Sequence, residues 1–70
     1  MTEEKIFFVN GIKYETYDCL TINELLYYFR YKQTLFIIEY NKLIYDQKHW
    51  SQIKIKNNDK IEIVTIVGGG

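Results

Sequence analysis

The chain has 70 residues, 47% of them apolar, a length that allows one small domain with a thin margin of stability. Nine basic and nine acidic residues cancel, which argues against the basic surface that a nucleic-acid-binding protein needs. A single cysteine, Cys19, excludes an intramolecular disulfide and leaves no Cys/His cluster for zinc. No apolar stretch has the length of a signal peptide or a membrane span, so we expect a soluble, intracellular, single-domain protein.

The first predicted element is a β-hairpin. Two segments rich in β-forming residues, 5–9 and 12–17, are separated by Asn10-Gly11. Both central residues of a type I′ turn need a positive φ, which Asn tolerates and Gly adopts freely. The segment therefore predicts two antiparallel strands joined by a two-residue turn.

A helix is predicted next, over about 22–31. Thr21 and Glu24 have the spacing of a capping box, and Leu20 and Leu25 have that of a hydrophobic staple. The apolar face repeats every three or four residues, with two tyrosines that widen it or lie at its rim: Ile22, Leu25, Leu26 and Phe29, then Tyr27 and Tyr28.

Three further strands complete the predicted architecture. The segment 35–40 is apolar on both faces, as expected for an interior strand, and 43–45 is a short strand. The polar segment 46–52 is predicted to be a loop or a single helical turn held by Trp50, and 60–63 alternates again as a strand. The order of elements predicts an α+β fold in which one helix covers one face of a mixed sheet.

No set of residues is arranged for catalysis. His49 has only Asp46 nearby in sequence to orient it, so we interpret it as a surface residue. Asp18 disfavours a thiolate at Cys19, which we interpret as structural or incidental. The acidic residues show no paired spacing, and we expect most of them to be solvated at the surface: Glu15, Asp18, Glu24, Glu39, Asp46, Asp59 and Glu62. The chain is therefore predicted not to be an enzyme.

The sequence ends in Gly68-Gly69-Gly70, directly after a β-forming segment. A flexible tail of no function and a chance addition are the simple explanations. The functional explanation is that the carboxylate of Gly70 is the reactive group. Because glycine has no Cβ, Gly68 and Gly69 can then thread a narrow channel in a partner enzyme.

The apolar alternation breaks before the tail, because Val64, Ile66 and Val67 are all apolar around Thr65. One interpretation is an exposed apolar patch beside the tail that forms a partner interface. The other is a β-bulge that returns these side chains to the core.

In this order, the segments resemble the ThiS family of sulfur carriers, ubiquitin-like β-grasp proteins related to the MoaD carriers. The resemblance rests on 6–11, 21–26, 38–41, Trp50 and 59–70, and the closing strand with its glycines is its most specific part. Two departures are Asn58-Asp59, where the family has Gly-Asp, and Tyr45-Asp46, where it often has Pro-Arg. Asn tolerates the left-handed turn, whereas the missing arginine puts one partner contact in doubt.

The resemblance implies a β-grasp domain over residues 1–67, with a mixed sheet of four to five strands on one helix, and a flexible tail over 68–70. It implies a carrier whose Gly70 carboxylate is adenylated by an E1-like enzyme of the ThiF type. A persulfide from a cysteine desulfurase then gives a thiocarboxylate, which a thiazole synthase of the ThiG type uses in thiamine biosynthesis. ATP and magnesium act in the adenylating enzyme, so this chain is expected to bind no metal or cofactor.

Alternative functions remain open at this point. A molybdopterin-synthase small subunit or a tRNA-thiolation carrier also fits a terminal Gly-Gly, and a β-grasp interaction module with an inert tail is a third possibility. Ile, Lys, Asn, Tyr and Phe make up half of the chain, which indicates an AT-rich genome. The predicted compartment is accordingly the bacterial cytoplasm or the plastid stroma.

Overall fold

The computed structural model describes residues 3–30 and 36–65. In chain order the elements are β1 (Lys5–Val9), β2 (Ile12–Thr16), α1 (Ile22–Tyr28), β3 (Phe36–Tyr40), β4 (Leu43–Tyr45), a 3₁₀ helix (Gln47–Gln52) and β5 (Lys60–Thr65).

The five strands form one mixed sheet in the order β2-β1-β5-β3-β4. β5 lies in the middle, parallel to β1 and antiparallel to β3. The predicted α+β fold of one helix on a mixed sheet is confirmed, and segment 35–40 contains an interior strand as predicted.

Two tight turns of the same kind join the two hairpins. Asn10 and Gly11 have φ of 51° and 81°, so the predicted type I′ conformation is confirmed. Asn41 and Lys42 connect β3 to β4 with φ of 52° and 71°. A lysine in this left-handed region is uncommon because its Cβ crowds the backbone.

The helix begins as predicted and ends earlier. Thr21 and Glu24 form the capping box, in which the Thr21 Oγ1 accepts a hydrogen bond from the Glu24 N–H at 3.2 Å. The last helical residue is Tyr28, whereas the prediction extended to residue 31. Arg30 has a φ of 54°, and this left-handed residue stops the helix after the C-cap, Phe29.

The core lies between α1 and one face of the sheet. Its buried side chains are Phe7, Val9, Ile22, Leu25, Leu26, Ile38, Trp50, Ile55, Ile61 and Ile63. The Trp50 indole N–H donates to the carbonyl oxygen of Tyr45 at 3.1 Å and the ring stacks on Phe36, so the predicted helical turn is held by this indole. Tyr27 and Tyr28 are exposed, so they do not widen the buried face of α1.

Candidate functional site

The candidate site is the end of β5 from which the chain continues toward its glycines. The predicted carrier residue Gly70, the threading residues Gly68 and Gly69, and the interface residues Ile66 and Val67 lie outside the described residues. The structure describes the strand that precedes them, and Thr65 is its last residue, paired with Phe36 of β3.

A buried carboxylate anchors the beginning of β5. Asp59 is only 6% exposed and is the single buried polar or charged side chain in the described parts of the chain. Its Oδ1 accepts a hydrogen bond from the Asn41 Nδ2 at 3.0 Å, and its Oδ2 accepts one from the Lys56 N–H at 2.6 Å. The Tyr40 hydroxyl donates a third hydrogen bond to the same carboxylate. Asp59 is therefore an exception to the expectation that most of the acidic side chains are solvated at the surface, because three donors replace its water.

Asn41 and Tyr40 extend this anchor to the neighbouring strand. The Asn41 Oδ1 accepts from the Lys60 N–H at 2.8 Å, so one side chain links the β3–β4 turn to both Asp59 and β5. Burial, together with the hydrogen bond to Asp59, raises the pKa of the Tyr40 hydroxyl above its ordinary value. Tyr40 therefore stays protonated as the donor at every physiological pH.

A turn asparagine holds the other end of β5. Beyond the end of β1, the Asn10 Oδ1 accepts a hydrogen bond from the Ile63 N–H at 2.7 Å, and the Asn10 Nδ2 donates to the Ile63 carbonyl at 3.3 Å. The side chain thus adds one more step to the ladder between β1 and β5. On its other side, β5 pairs with β3 through Thr65. β5 is consequently held on both sides to within two residues of its end.

The face of the sheet turned away from α1, here called the open face, carries an apolar patch. Strand pairing places these apolar and charged residues on it: Ile6, Phe8, Ile37, Ile44 and Val64, with Lys13, Glu15, Glu39, Lys60 and Glu62. Val64 is 45% exposed and lies opposite Ile37. The pairing of β3 and β5 is regular through Thr65, so no bulge turns Val64 into the core. Whether Val64 contacts a partner stays a prediction.

Two like charges face each other beside this patch. Glu39 of β3 lies directly opposite Glu62 of β5 on the open face. Like charges at opposed positions of neighbouring strands repel and destabilise the sheet. Ile44 of β4, which is 65% exposed, lies opposite Glu39 on its other side. The open face therefore combines apolar side chains with a local excess of negative charge.

The remaining candidate residues stand apart from this site. His49 is exposed in the 3₁₀ helix, and Cys19 is exposed before α1. Within residues 3–30 and 36–65, no three His, Cys, Asp or Glu side chains come together as metal ligands. No helix in these same ranges has the length and apolar character needed to cross a membrane.

Sequence reasoning missed the tertiary roles of Asn10 and Asp59. The turn alone accounts for an asparagine at position 10, and the neighbouring sequence does not indicate that the Asn10 side-chain amide also contacts β5. A weak signal existed for Asp59, because it follows the left-handed Asn58 (φ 71°) in a tight turn where the family resemblance places a Gly-Asp pair. The Asn58 conformation agrees with the expectation that Asn replaces Gly there.

Comparison with a solved structure identifies the class of fold. The crystal structure of the thiamine biosynthesis protein ThiS from Geobacter metallireducens matches with a TM-score of 0.78 and 26% identity, covering 93% of this chain and 99% of that one. The five-stranded mixed sheet on a single helix is therefore the ubiquitin-like β-grasp fold of a small carrier protein.

Sequence comparisons identify the family. A sequence model of the ThiS family matches residues 7–70. The sulfur carrier protein ThiS of Bacillus subtilis is 36% identical over 53 residues, covering 76% of this chain and 80% of that protein. The uncharacterized protein ycf40 of Trieres chinensis is 52% identical over 66 residues, covering 94% and 90%, and that of Porphyra purpurea is 32% identical over 62 residues, covering 89% and 87%. The chain belongs to the ThiS family and is a sulfur carrier of that family.

Proposed function

We propose that this protein carries sulfur as a thiocarboxylate on Gly70 and delivers it for thiazole formation in thiamine biosynthesis. The observation that carries the proposal is the match of the ThiS family along the chain to residue 70, with β5 leading into the glycines. Membership in the ThiS family favours this role over a molybdopterin-synthase subunit or a tRNA-thiolation carrier.

The anchoring of β5 supports this role physically. The strand is fixed by Asp59 at its beginning and by Asn10 near its end. Five residues follow Thr65, and their maximum reach is about 18 Å at roughly 3.6 Å per residue. A partner that binds the folded domain thus restricts Gly70 to a small volume, which raises its effective concentration at the partner's active site.

The chemistry requires activation because a carboxylate is a poor electrophile. A Gly70 carboxylate oxygen attacks the α-phosphorus of ATP in the ThiF-type enzyme, and pyrophosphate leaves. The terminal sulfur of a persulfide then attacks the acyl carbon, and AMP leaves as the C–S bond forms. A thiol reduces the resulting S–S bond, which releases the thiocarboxylate and leaves a disulfide. In this chain only the carboxylate of Gly70 reacts, while ATP and magnesium are held by the partner.

We assign partner docking to the open face around Val64, and we propose that Ile66 and Val67, which follow in the sequence, contribute to the same interface. The exposed apolar side chains lie beside the strand that leads to Gly70, so a partner bound there is close to the tail. The opposed carboxylates of Glu39 and Glu62 favour a partner that presents Lys or Arg at this position. The ThiF-type and ThiG-type enzymes are the proposed partners, and the proposed compartment is the bacterial cytoplasm or the plastid stroma.

Intact-mass measurement tests the proposal. The protein is incubated with ATP, magnesium, a ThiF-type enzyme, a cysteine desulfurase with cysteine, and a thiol reductant. We expect a mass increase equal to the difference between sulfur and oxygen, located by fragmentation on Gly70. Transfer to a ThiG-type synthase should return the carrier to its original mass.

Two tail variants provide the controls. Deletion of Gly70 and addition of one residue after Gly70 should each leave the fold intact and abolish the mass increase. An unmodified wild-type protein, under conditions where Bacillus subtilis ThiS gains sulfur, would contradict the proposal. Full activity of the extended variant with its extra residue still attached would contradict it equally.

A further inference from the structure

The outer edge of β2 is open for pairing in the part of the molecule that the structure describes. β2 is the first strand in the sheet order and pairs only with β1 among the five strands. Val9 and Ile12 flank the two-residue turn, so they form a hydrogen-bonded pair, as does every second pair beyond them. The intervening residues, Lys13 and Glu15, therefore direct their backbone N–H and C=O groups outward.

A groove of about 380 Å³ runs beside this edge, between β2 and α1, and is here called the β2 groove. Its apolar wall consists of Phe7, Tyr14, Leu20, Leu25, Tyr28 and Phe29. The Tyr14 ring lies 5.9 Å from that of Phe7 and 5.1 Å from that of Phe29, which makes the wall a continuous aromatic surface. Tyr28 is 75% exposed, so much of its ring is available to an occupant.

Acidic side chains outnumber basic ones around the edge of β2. Asp18 lines the β2 groove, and Glu15 lies on the edge strand itself. A hydrogen bond to Glu15 and repulsion by its carboxylate raise the pKa of Glu4, with Lys13 opposing the shift. Glu15 lies on the open face of the sheet, and Glu4, which directly precedes β1, adds a second carboxylate next to it. A cation placed beside them would be attracted to both.

We propose that the edge of β2 binds an extended segment of a partner protein in which basic and apolar residues alternate, added to the sheet as a further strand. Because side chains of a strand alternate between its two faces, apolar residues enter the β2 groove while basic residues lie beside Glu4 and Glu15. Outward groups of Lys13 and Glu15 supply the main-chain hydrogen bonds. The site lies two strands from β5, so a partner can hold the carrier here while Gly70 is being loaded or unloaded elsewhere.

The test uses the full-length chain and a synthetic peptide, acetyl-Lys-Val-Lys-Ile-Lys-Val-Lys-amide, with amide hydrogen exchange followed by NMR. Bound peptide should slow exchange of the Lys13 and Glu15 amides. The Tyr14 amide, which already faces β1, should keep its rate. The matched peptide with Glu in place of Lys should not bind. Failure of the Lys peptide to protect Lys13 and Glu15 at millimolar concentration would overturn the proposal.

Variants of the edge separate hydrogen bonding from charge. Lys13→Ala removes a like charge and should bind the peptide as well as or better than wild type. Lys13→Pro also removes the outward N–H and should bind about fivefold more weakly than Lys13→Ala. Tyr28→Ala alters an exposed ring without touching the core, and should weaken binding about tenfold with the fold retained.

Charge reversal gives a third arm. Glu15→Lys should weaken binding of the cationic peptide, whereas Glu62→Lys, on β5 and two strands away from this edge, should have little effect. Equal weakening by both variants would show that only overall charge matters and would overturn the proposal. Protection of Lys13 and Glu15 without peptide, in a chain that sediments as a dimer, would show that a second copy occupies the edge and would overturn it too.

Discussion

Replacing Asn10 with glycine tests whether a side chain holds the end of the strand that leads to the tail. Glycine keeps the positive φ of the turn but removes both hydrogen bonds to Ile63, at 2.7 and 3.3 Å. The shorter bond satisfies a partly buried N–H group, and leaving such a donor unpaired costs about 1–3 kcal/mol. We therefore expect a loss of about 1–2 kcal/mol in the free energy of unfolding, relative to a control that carries the same backbone change.

Asn58→Gly is that control. Asn58 also has a positive φ, 71°, and its side chain makes no hydrogen bond to the described residues. Both variants therefore share the relief of left-handed strain and the greater freedom of glycine in the unfolded chain. Comparison of the two leaves the contribution of the Asn10 amide.

Amide hydrogen exchange at Ile63 is the decisive measurement. A loss of 1–2 kcal/mol corresponds to exchange about 5–30 times faster in Asn10→Gly than in Asn58→Gly. Thermal unfolding should show a Tm lower by about 4–8 °C for each kcal/mol lost. Equal Ile63 exchange rates in the two variants would refute the conclusion that Asn10 extends the ladder between β1 and β5.

Three further predictions concern the open face and the buried carboxylate. Val64→Asp should retain the fold and lower the free energy of unfolding by no more than about 1 kcal/mol in urea denaturation, because Val64 is exposed. The variant should no longer bind a ThiF-type or ThiG-type partner in calorimetry, and unchanged binding would contradict the proposed interface. Asp59→Ala should cost about 1–3 kcal/mol in the same denaturation assay, since three part-buried donors lose their acceptor, and a loss under 1 kcal/mol would contradict the anchor. Above about pH 10, the ordinary pKa of tyrosine, the unfolded chain loses the Tyr40 proton while the folded chain keeps it. The free energy of unfolding should therefore fall as pH rises, and the contribution of Tyr40 to this fall should be absent in Tyr40→Phe.

Local signals in the sequence predicted local structure well. Asn10-Gly11 predicted the turn because few dipeptides tolerate two positive φ angles in succession. Thr21 and Glu24 predicted the helix start because the capping hydrogen bonds lie within four residues. The helix end was less well predicted, because the left-handed conformation of Arg30 has no strong sequence signature.

Local sequence patterns did not predict which distant segments of the chain come together. Nothing in the sequence of β5 shows that it lies between β1 and β3, because strand order depends on how the whole chain closes. The burial of Asp59 likewise depends on Tyr40 and Asn41, which lie in another hairpin. For the candidate site, Val64 could be singled out from the broken alternation, whereas the opposed pair of Glu39 and Glu62 required the strand register.

The central place of β5 has a consequence for how the protein folds. The bond between Asn10 and Ile63 joins positions 53 residues apart, so the sheet closes only when distant parts of the chain meet. Such topologies fold more slowly than helical bundles of equal size and tend to do so in one cooperative step. A fragment cut before β5 would keep two separate hairpins with no shared sheet, and neither is expected to be stable in water. Proteolytic loss of the last strand would therefore unfold the rest of the domain, so no folded fragment without a tail would remain to compete with the intact carrier for its partners.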